Sequence, residues 1–276
     1  MKIFQPLRSW LISGCRSATQ FTIVAIIILF AAFGVTAQPT NDLSDAEIQG
    51  RQLAQKLLEQ IPATNSTQTG VLKIRDGKGK TSAIPIKFET IVTTTNWSSI
   101  YELSPANIVS NTWTPIRLVV LHDSSNSNQY HLTISFGGIP ERRWTKDRSD
   151  IVAILPFAGD FWVADLGLDF FHWPEQKILK KENRRSRGCM VLESTNPNLS
   201  SSNAVPPIRY SRVVSWIDEE SLGIVEANAY DANGKKLKNF YPKNLEKVNG
   251  QYQVQSMIMD NLQTGSRTRL EFDLKK

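Results

Sequence analysis

The chain has 276 residues, 41% apolar, 21% charged and 9% aromatic, with 15 Gly, 13 Pro and 2 Cys. These proportions exclude wholesale disorder, a collagen-like repeat, a disulfide-stapled miniprotein and a multi-span membrane protein, and they allow one large domain or two small ones. A formal charge of +6 invites a nucleic-acid partner, but only if the cations belong to the folded part.

The N-terminus settles part of that question. Lys2, Arg8 and Arg16 precede an apolar run from Phe21 to Val35, and Val35-Thr36-Ala37 offers a small-residue cleavage site. This layout predicts a secretory signal peptide over residues 1–37 and a mature domain over 38–276. An uncleaved anchor tethered to the inner membrane is the alternative, because the charge-free stretch from Ser17 to Asn41 approaches bilayer-spanning length. Ile12-Ser13-Gly14-Cys15 imitates a lipobox, yet its apolar segment follows the cysteine instead of preceding it. Cleavage after Ala37 leaves 29 Lys+Arg against 26 Asp+Glu, a net charge of about +3. No nucleic-acid partner is expected of such a chain. Cys189 then lacks an intramolecular partner and sits in an apolar run, where burial keeps a thiol unreactive.

Asn41-Asp42 is positioned to cap a helix over about 44–60, with Ile48, Leu53, Leu57, Leu58 and Ile61 on one side and Pro62 ending it. Strand signals follow. Leu72 and Ile74 alternate with Lys73 and Arg75, and Asp76-Gly77-Lys78-Gly79 turns the chain. Ile84, Ile86, Phe88, Thr90 and Val92 form a period-2 stripe, as do Ile116, Leu118 and Val120, and then Tyr130, Leu132, Ile134 and Phe136. Residues 149–174 break the pattern, being apolar and aromatic with helical spacing from Val163 to His172. Residues 194–208 read as a surface loop. The last third is a meander whose hairpins turn at Asn233-Gly234, Asn249-Gly250 and Thr264-Gly265. Ten or eleven antiparallel strands predict one large curved sheet or barrel.

The motifs of hydrolases, zinc proteases and nucleotide-binding loops are missing, so no enzyme, metal or cofactor is expected. His131 and His122 read as solvated strand residues. Asp165, Asp169 and His172 fall at i, i+4 and i+7, the spacing of one helical face, but capping at Asp165 and solvent exposure at Asp169 account for the carboxylates without a metal. Phe157, Phe161, Trp162, Leu166, Phe170, Phe171 and Trp173 crowd seventeen residues, and in a curved sheet they are candidates for an apolar, lipid-binding pocket. Lys177, Lys180, Lys181, Arg184, Arg185 and Arg187 put six cations into eleven residues, offset in sequence only by Glu182. They form either a solvated hairpin or a patch for anionic headgroups or an acidic membrane partner.

Five stretches carry a resemblance. They are Asp165–Pro174 (DLGLDFFHWP) with Arg187–Ser194 (RGCMVLES), Tyr210–Asp218 (YSRVVSWID) with Tyr230–Lys235, and the closing Gly265–Phe272. Together they resemble the bacterial outer-membrane lipoprotein-sorting protein family, the LolA-like group, over about residues 45–276. The resemblance implies an incomplete antiparallel β-barrel closed by helices around a hydrophobic cavity. It also implies a monomeric periplasmic carrier of lipoprotein acyl chains or another lipid, with an inner-membrane releasing complex and an outer-membrane acceptor as partners. A sensor of the same fold, binding lipoprotein and a membrane partner without transport, is the alternative.

Overall fold

The computed structural model describes residues 43–94, 96–103, 115–136, 139–144, 156–196, 210–248 and 251–273. The chain divides into the segments Met1–Asn41 and Asp42–Lys276. The expected signal peptide (1–37) and Cys15 lie outside the described residues, as do Asn249-Gly250 and most of the loop read at 194–208.

α1 (Asp45–Leu58) starts later than Asn41-Asp42 predicts. The N–H and hydroxyl of Ser44 donate to the Glu47 carboxylate at 2.8 and 2.6 Å, so Ser44 is the cap. The buried side of α1 is Gly50, Leu53 and Ala54, with Leu57 and Leu58 half-buried. Ile48 (41% exposed) and Ile61 (55%) fall outside it. The large-residue stripe was therefore misplaced at both ends. Small residues face the sheet because the helix lies close: a Cβ added to Gly50 would stand 2.5 Å from the backbone of Gln176 and Lys177.

The strands are β1 (Ser66–Arg75), β2 (Thr81–Val92), β3 (Trp97–Leu103), β4 (Ile116–His122), β5 (Gln129–Phe136) and β6 (Ile139–Trp144). A short hairpin of β7 (Pro156–Ala158) and β8 (Phe161–Trp162) comes next, then α2 (Val163–Gly167) and a 3-10 helix (Asp169–His172). The chain returns through β9 (Glu175–Arg184), β10 (Arg187–Thr195), β11 (Arg212–Asp218), β12 (Ile224–Tyr230), β13 (Lys236–Val248), β14 (Gln251–Asn261) and β15 (Arg267–Phe272). Among the described residues thirteen strands join in one curved antiparallel sheet that does not close, more than the ten or eleven expected.

The order β6-β5-β4-β3-β2-β1-β15-β14-β13-β12-β11-β10-β9 explains the architecture. The chain enters mid-sheet, runs outward to one edge, crosses through β7, β8, α2 and the 3-10 helix, and meanders back from the opposite edge until β15 pairs with β1. Leu72 of β1 stands opposite both Ile84 of β2 and Leu270 of β15, so the predicted period-2 stripes converge on one face. Turn chemistry repeats: Asp76 Oδ1 accepts from Lys78 and Lys80 N–H at 2.9 and 2.8 Å. Asp231 Oδ1 does the same for Asn233 and Lys235 at 2.9 and 2.8 Å, with Gly79 and Gly234 at positive φ.

The crossing segment does not form one helix from Val163 to His172. Leu168 takes the left-handed conformation (φ 53°), ending α2 and starting the 3-10 turn. The break divides its apolar residues between two cores. Phe157, Phe161 and Leu166 pack with Leu72, Ile84, Leu118 and Leu270. Phe170 and Phe171, with Trp162 and Trp173 beside them, join Leu53, Ala54, Leu192 and Ile217 under α1. Cys189 is buried on the other face with Val191 and Trp216, and burial raises its pKa.

Candidate functional site

A cavity of about 730 Å³ lies between the sheet, the C-terminal turn of α1 and the crossing segment. Phe88 and Tyr101, opposite one another on β2 and β3 with ring centroids 4.9 Å apart, form part of one wall. Phe240 and Met257 of β13 and β14 form another. Leu57 and Leu58 of α1 and Phe161, Leu166, Leu168 and Phe171 of the crossing segment complete it. The lining is mostly apolar; Ser99, His122, Asn128 and Asp165 are among its polar groups, and Arg187, Asp218 and Ser221 also border it.

The seven aromatic and leucine residues singled out by crowding do not act as one set. Phe161, Leu166 and Phe171 border the cavity. Phe157 lies edge-on to Tyr101 in the core, with centroids 5.9 Å apart. Trp162 stacks on Tyr210 at 4.5 Å, and Trp173 and Phe170 meet edge-to-face at 6.5 Å. The sequence reading missed Tyr101, Phe240 and Met257. Their signal was a strand face whose inward side only the pairing register identifies.

Asp165, Asp169 and His172 part company at the Leu168 break. Asp165 accepts from the Trp162 N–H at 2.8 Å and pairs with Lys238 at 3.1 Å. Asp169 accepts from the Tyr130 hydroxyl and from Asn128 Nδ2 (3.2 Å). His172 Nε2 is buried without a hydrogen-bond partner among the described residues. Asp165 caps the start of α2, as expected, but solvent exposure was the wrong expectation for Asp169. His122 was misread as well: its ring stacks on Trp97 (3.7 Å between centroids), hydrogen-bonds Ser99 Oγ at 2.9 Å and lines the cavity. Burial, reinforced by the charge of His172, lowers its pKa to about 4, so it stays neutral. His131 is exposed, as expected.

A family model described only as an uncharacterized protein matches residues 156–275. No curated protein matches the sequence. Three solved structures share the architecture. A DUF1329 family protein from Desulfovibrio piger matches with a TM-score of 0.63 and 20% identity, over 83% of this chain and 92% of its own. A Vibrio parahaemolyticus domain described as an outer membrane lipoprotein-sorting protein matches with 0.65 and 18%, over 83% and 92%. A LolA superfamily protein from Nitrosomonas europaea matches with 0.55 and 14%, over 84% and 93%.

The fold is that of the LolA superfamily.

In this LolA-like sheet the crossing segment is held by buried charge. Lys238 of β13, with its side chain 4% exposed, reaches the Asp165 carboxylate and donates to the Asp160 carbonyl at 2.6 Å. Its ammonium also lies 3.8 Å from the centroid of the Trp162 ring. Asp160, in the β7–β8 turn, takes hydrogen bonds from Ser266, Thr268 and Asn261 at 2.5, 2.8 and 3.1 Å. The closing element is thereby tied to β13, β15 and the turn between β14 and β15.

The six-cation run spans β9, an edge strand of the LolA-like sheet, and its turn into β10. Lys180 pairs with Glu182 at 2.6 Å, Lys181 with Glu219 at 2.7 Å, and Arg187 with Asp218 at 3.2 Å. Arg184 and Arg185 share the buried Glu226. Burial alone would raise the pKa of Glu226, but the two guanidinium groups hold it below its usual range. Glu182 is the only acid within the run, and the fold adds three more from β11, β12 and the turn between them. Lysines along an edge strand also discourage pairing with another sheet.

Asp169 yields a pH prediction. Burial, opposed by the hydrogen bonds from Tyr130 and Asn128, raises its pKa to about 6. The native state then binds more protons than the unfolded chain between about pH 4 and 6, and this group's contribution to stability falls as pH rises through that window. Asp169→Asn keeps an acceptor for Tyr130 and Asn128 and removes the titration. The variant is expected to gain about 2–3 kcal/mol over the wild type at pH 7 relative to pH 4. His122 acts in the opposite sense, favouring the fold above the unfolded pKa of 6.5 and losing that contribution toward 4. Without Asp169 to offset it, stability should fall more steeply on acidification; urea unfolding at pH 4, 5, 6 and 7 measures both.

Proposed function

We propose that this protein is a carrier of the bacterial envelope that binds the acyl chain of a lipid or lipoprotein in the cavity and releases it to an acceptor. The observation that carries the reading is the cavity itself. Its volume of about 730 Å³ falls in the roughly 300–1,000 Å³ range of ligand sites. Its walls are mostly apolar. Two structural neighbours add support: one is described as a lipoprotein-sorting domain and the other as a LolA superfamily protein. The N-terminal layout supports export across the inner membrane.

Mass spectrometry of lipids that co-purify with the protein is the direct test. Binding should also depend on chain length, because each buried methylene contributes about 0.8 kcal/mol. A sixteen-carbon fatty acid should therefore bind on the order of a hundredfold tighter than a twelve-carbon one while the chain still fits. No bound acyl species, together with no uptake of a fluorescent fatty acid, would end the carrier reading.

A further inference from the structure

We infer that the ligand is an amphiphile with an uncharged hydroxyl head, as in a long-chain alcohol or an acylglycerol, which donates to Asn128 Oδ1 on the β3–β5 wall of the cavity while its apolar tail lies inside. The inference rests on the carrier reading and names its substrate class.

Strand pairing puts the polar groups of this wall on the cavity side of the sheet. Asn128 directly precedes β5 and shares the inward face of Tyr130 and Leu132, both part of the core. The register Leu121↔Gln129 sets His122 beside it on that face, and Trp97 of β3 stands opposite His122. Ser99 follows Trp97 on the same face, and all four residues line the cavity.

Asn128 is 3% exposed. Its Nδ2 donates to the Gly167 carbonyl at 2.6 Å and to the Asp169 carboxylate at 3.2 Å. A carbonyl only accepts, so the nitrogen end of the amide must face α2. The oxygen end takes no hydrogen bond from the described residues, yet it is not sealed inside the protein. The space that it opens to is the cavity. A buried acceptor without a donor is unfavourable, and a hydroxyl proton brought in by the ligand relieves it. Next to it, Ser99 Oγ and His122 Nε2 lie 2.9 Å apart. Burial keeps His122 neutral, and a neutral Ser–His pair donates or accepts according to the ring's tautomer. That suits the oxygen of a hydroxyl whose proton goes to Asn128.

Charge narrows the head further. Lys238 is committed to Asp165 and the Asp160 carbonyl, and Arg187 to Asp218. Arg185 rests on Tyr241 and Glu226, on the opposite face of the sheet. The acids are committed too. Asp123 accepts from the N–H groups of Ser125 and Asn126 at 2.8 and 3.0 Å, and Asp169 from Tyr130 and Asn128. A charged head of either sign would enter this wall without a free counter-charge, which is costly in an apolar cavity. An uncharged hydroxyl needs none.

The test displaces a neutral dye, Nile red, from the purified protein with 1-dodecanol and with its isomer undecyl methyl ether, which has the same atoms but no O–H. Dodecanoate and dodecylammonium complete the set at about pH 8, where both are charged. The alcohol should bind about tenfold tighter than the ether. Asn128→Ala should remove most of that preference. The ratio is taken within one protein, so a general loosening of the cavity cancels. Because Asn128 also holds Gly167, the variant's unfolding midpoint is measured alongside, and the wild-type ratio decides if the variant does not fold. Equal binding of the two isomers, or an unchanged ratio in folded Asn128→Ala, overturns the headgroup inference. So does tighter binding of either ion than of the alcohol. The carrier reading stands in each of these cases, whereas failure of every ligand to displace the dye overturns both.

Discussion

Lys238→Met is expected to destabilise the protein by roughly 3–5 kcal/mol, the usual cost of leaving one member of a buried ion pair without its partner. Asp165 would keep the Trp162 N–H but lose its counter-ion, and the Asp160 carbonyl would lose its ammonium donor. Neither group has water to fall back on, since the Asp165 side chain is only 8% exposed. Asp165→Asn should be damaging for the mirror reason, because it strands the ammonium beside Trp162. The double variant should cost less than the two single changes together, since it removes both charges and the introduced amide oxygen can still accept from the Trp162 backbone. Urea unfolding of the four proteins closes the cycle; strict additivity would mean that the pair does not couple the crossing segment to β13. Ligand binding should weaken in parallel, because Asp165, Leu166 and Leu168 belong to the cavity wall.

The second large effect belongs to Gly50. In an isolated helix, Gly→Ala gains about 1 kcal/mol, so propensity alone predicts that Gly50→Ala stabilises. Packing reverses the sign. The new Cβ would lie 2.5 Å from the backbone of Gln176 and Lys177, and that backbone is fixed by the pairing of β9 with β10. Something must move, and α1 is the more weakly held partner. A net loss of about 1–3 kcal/mol is expected, larger for Gly50→Val. Arg51→Ala on the exposed side should be nearly neutral by comparison. Displacing α1 also moves Leu57 and Leu58, so the Gly50 variants should bind fluorescent fatty acid more weakly. A stabilised Gly50→Ala protein would show that α1 does not seat as described.

Much of the fold was legible because strand and turn signals are local. Period-2 alternation identified the faces of β2, β4 and β5 correctly, and Asp76-Gly77-Lys78-Gly79 and Asn233-Gly234 marked the turns after β1 and β12. Errors fell where local pattern and tertiary contact disagree. Helical spacing from Val163 to His172 carried no sign that Leu168 adopts φ 53°, a conformation that its surroundings impose. Ile48 and Ile61 have the apolar character of a buried stripe, but close approach to β9 favours Gly50 and Ala54 instead. His122 ends a strand in sequence, and only the returning 3-10 helix brings His172 close to it.

The cation run shows the division most plainly. In sequence its one acid is Glu182. In the fold, Asp218, Glu219 and Glu226 arrive from β11, the following turn and β12 and pair with Arg187, Lys181 and the two arginines Arg184 and Arg185. Sequence by itself determined the β-rich class, the antiparallel meander and the turn positions, because these follow from periods and dihedral preferences within a few residues. Only the tertiary structure decided that β15 pairs with β1, which residues border the cavity and which acids meet the cations. Those depend on contacts between residues far apart in the chain, and no local pattern encodes them.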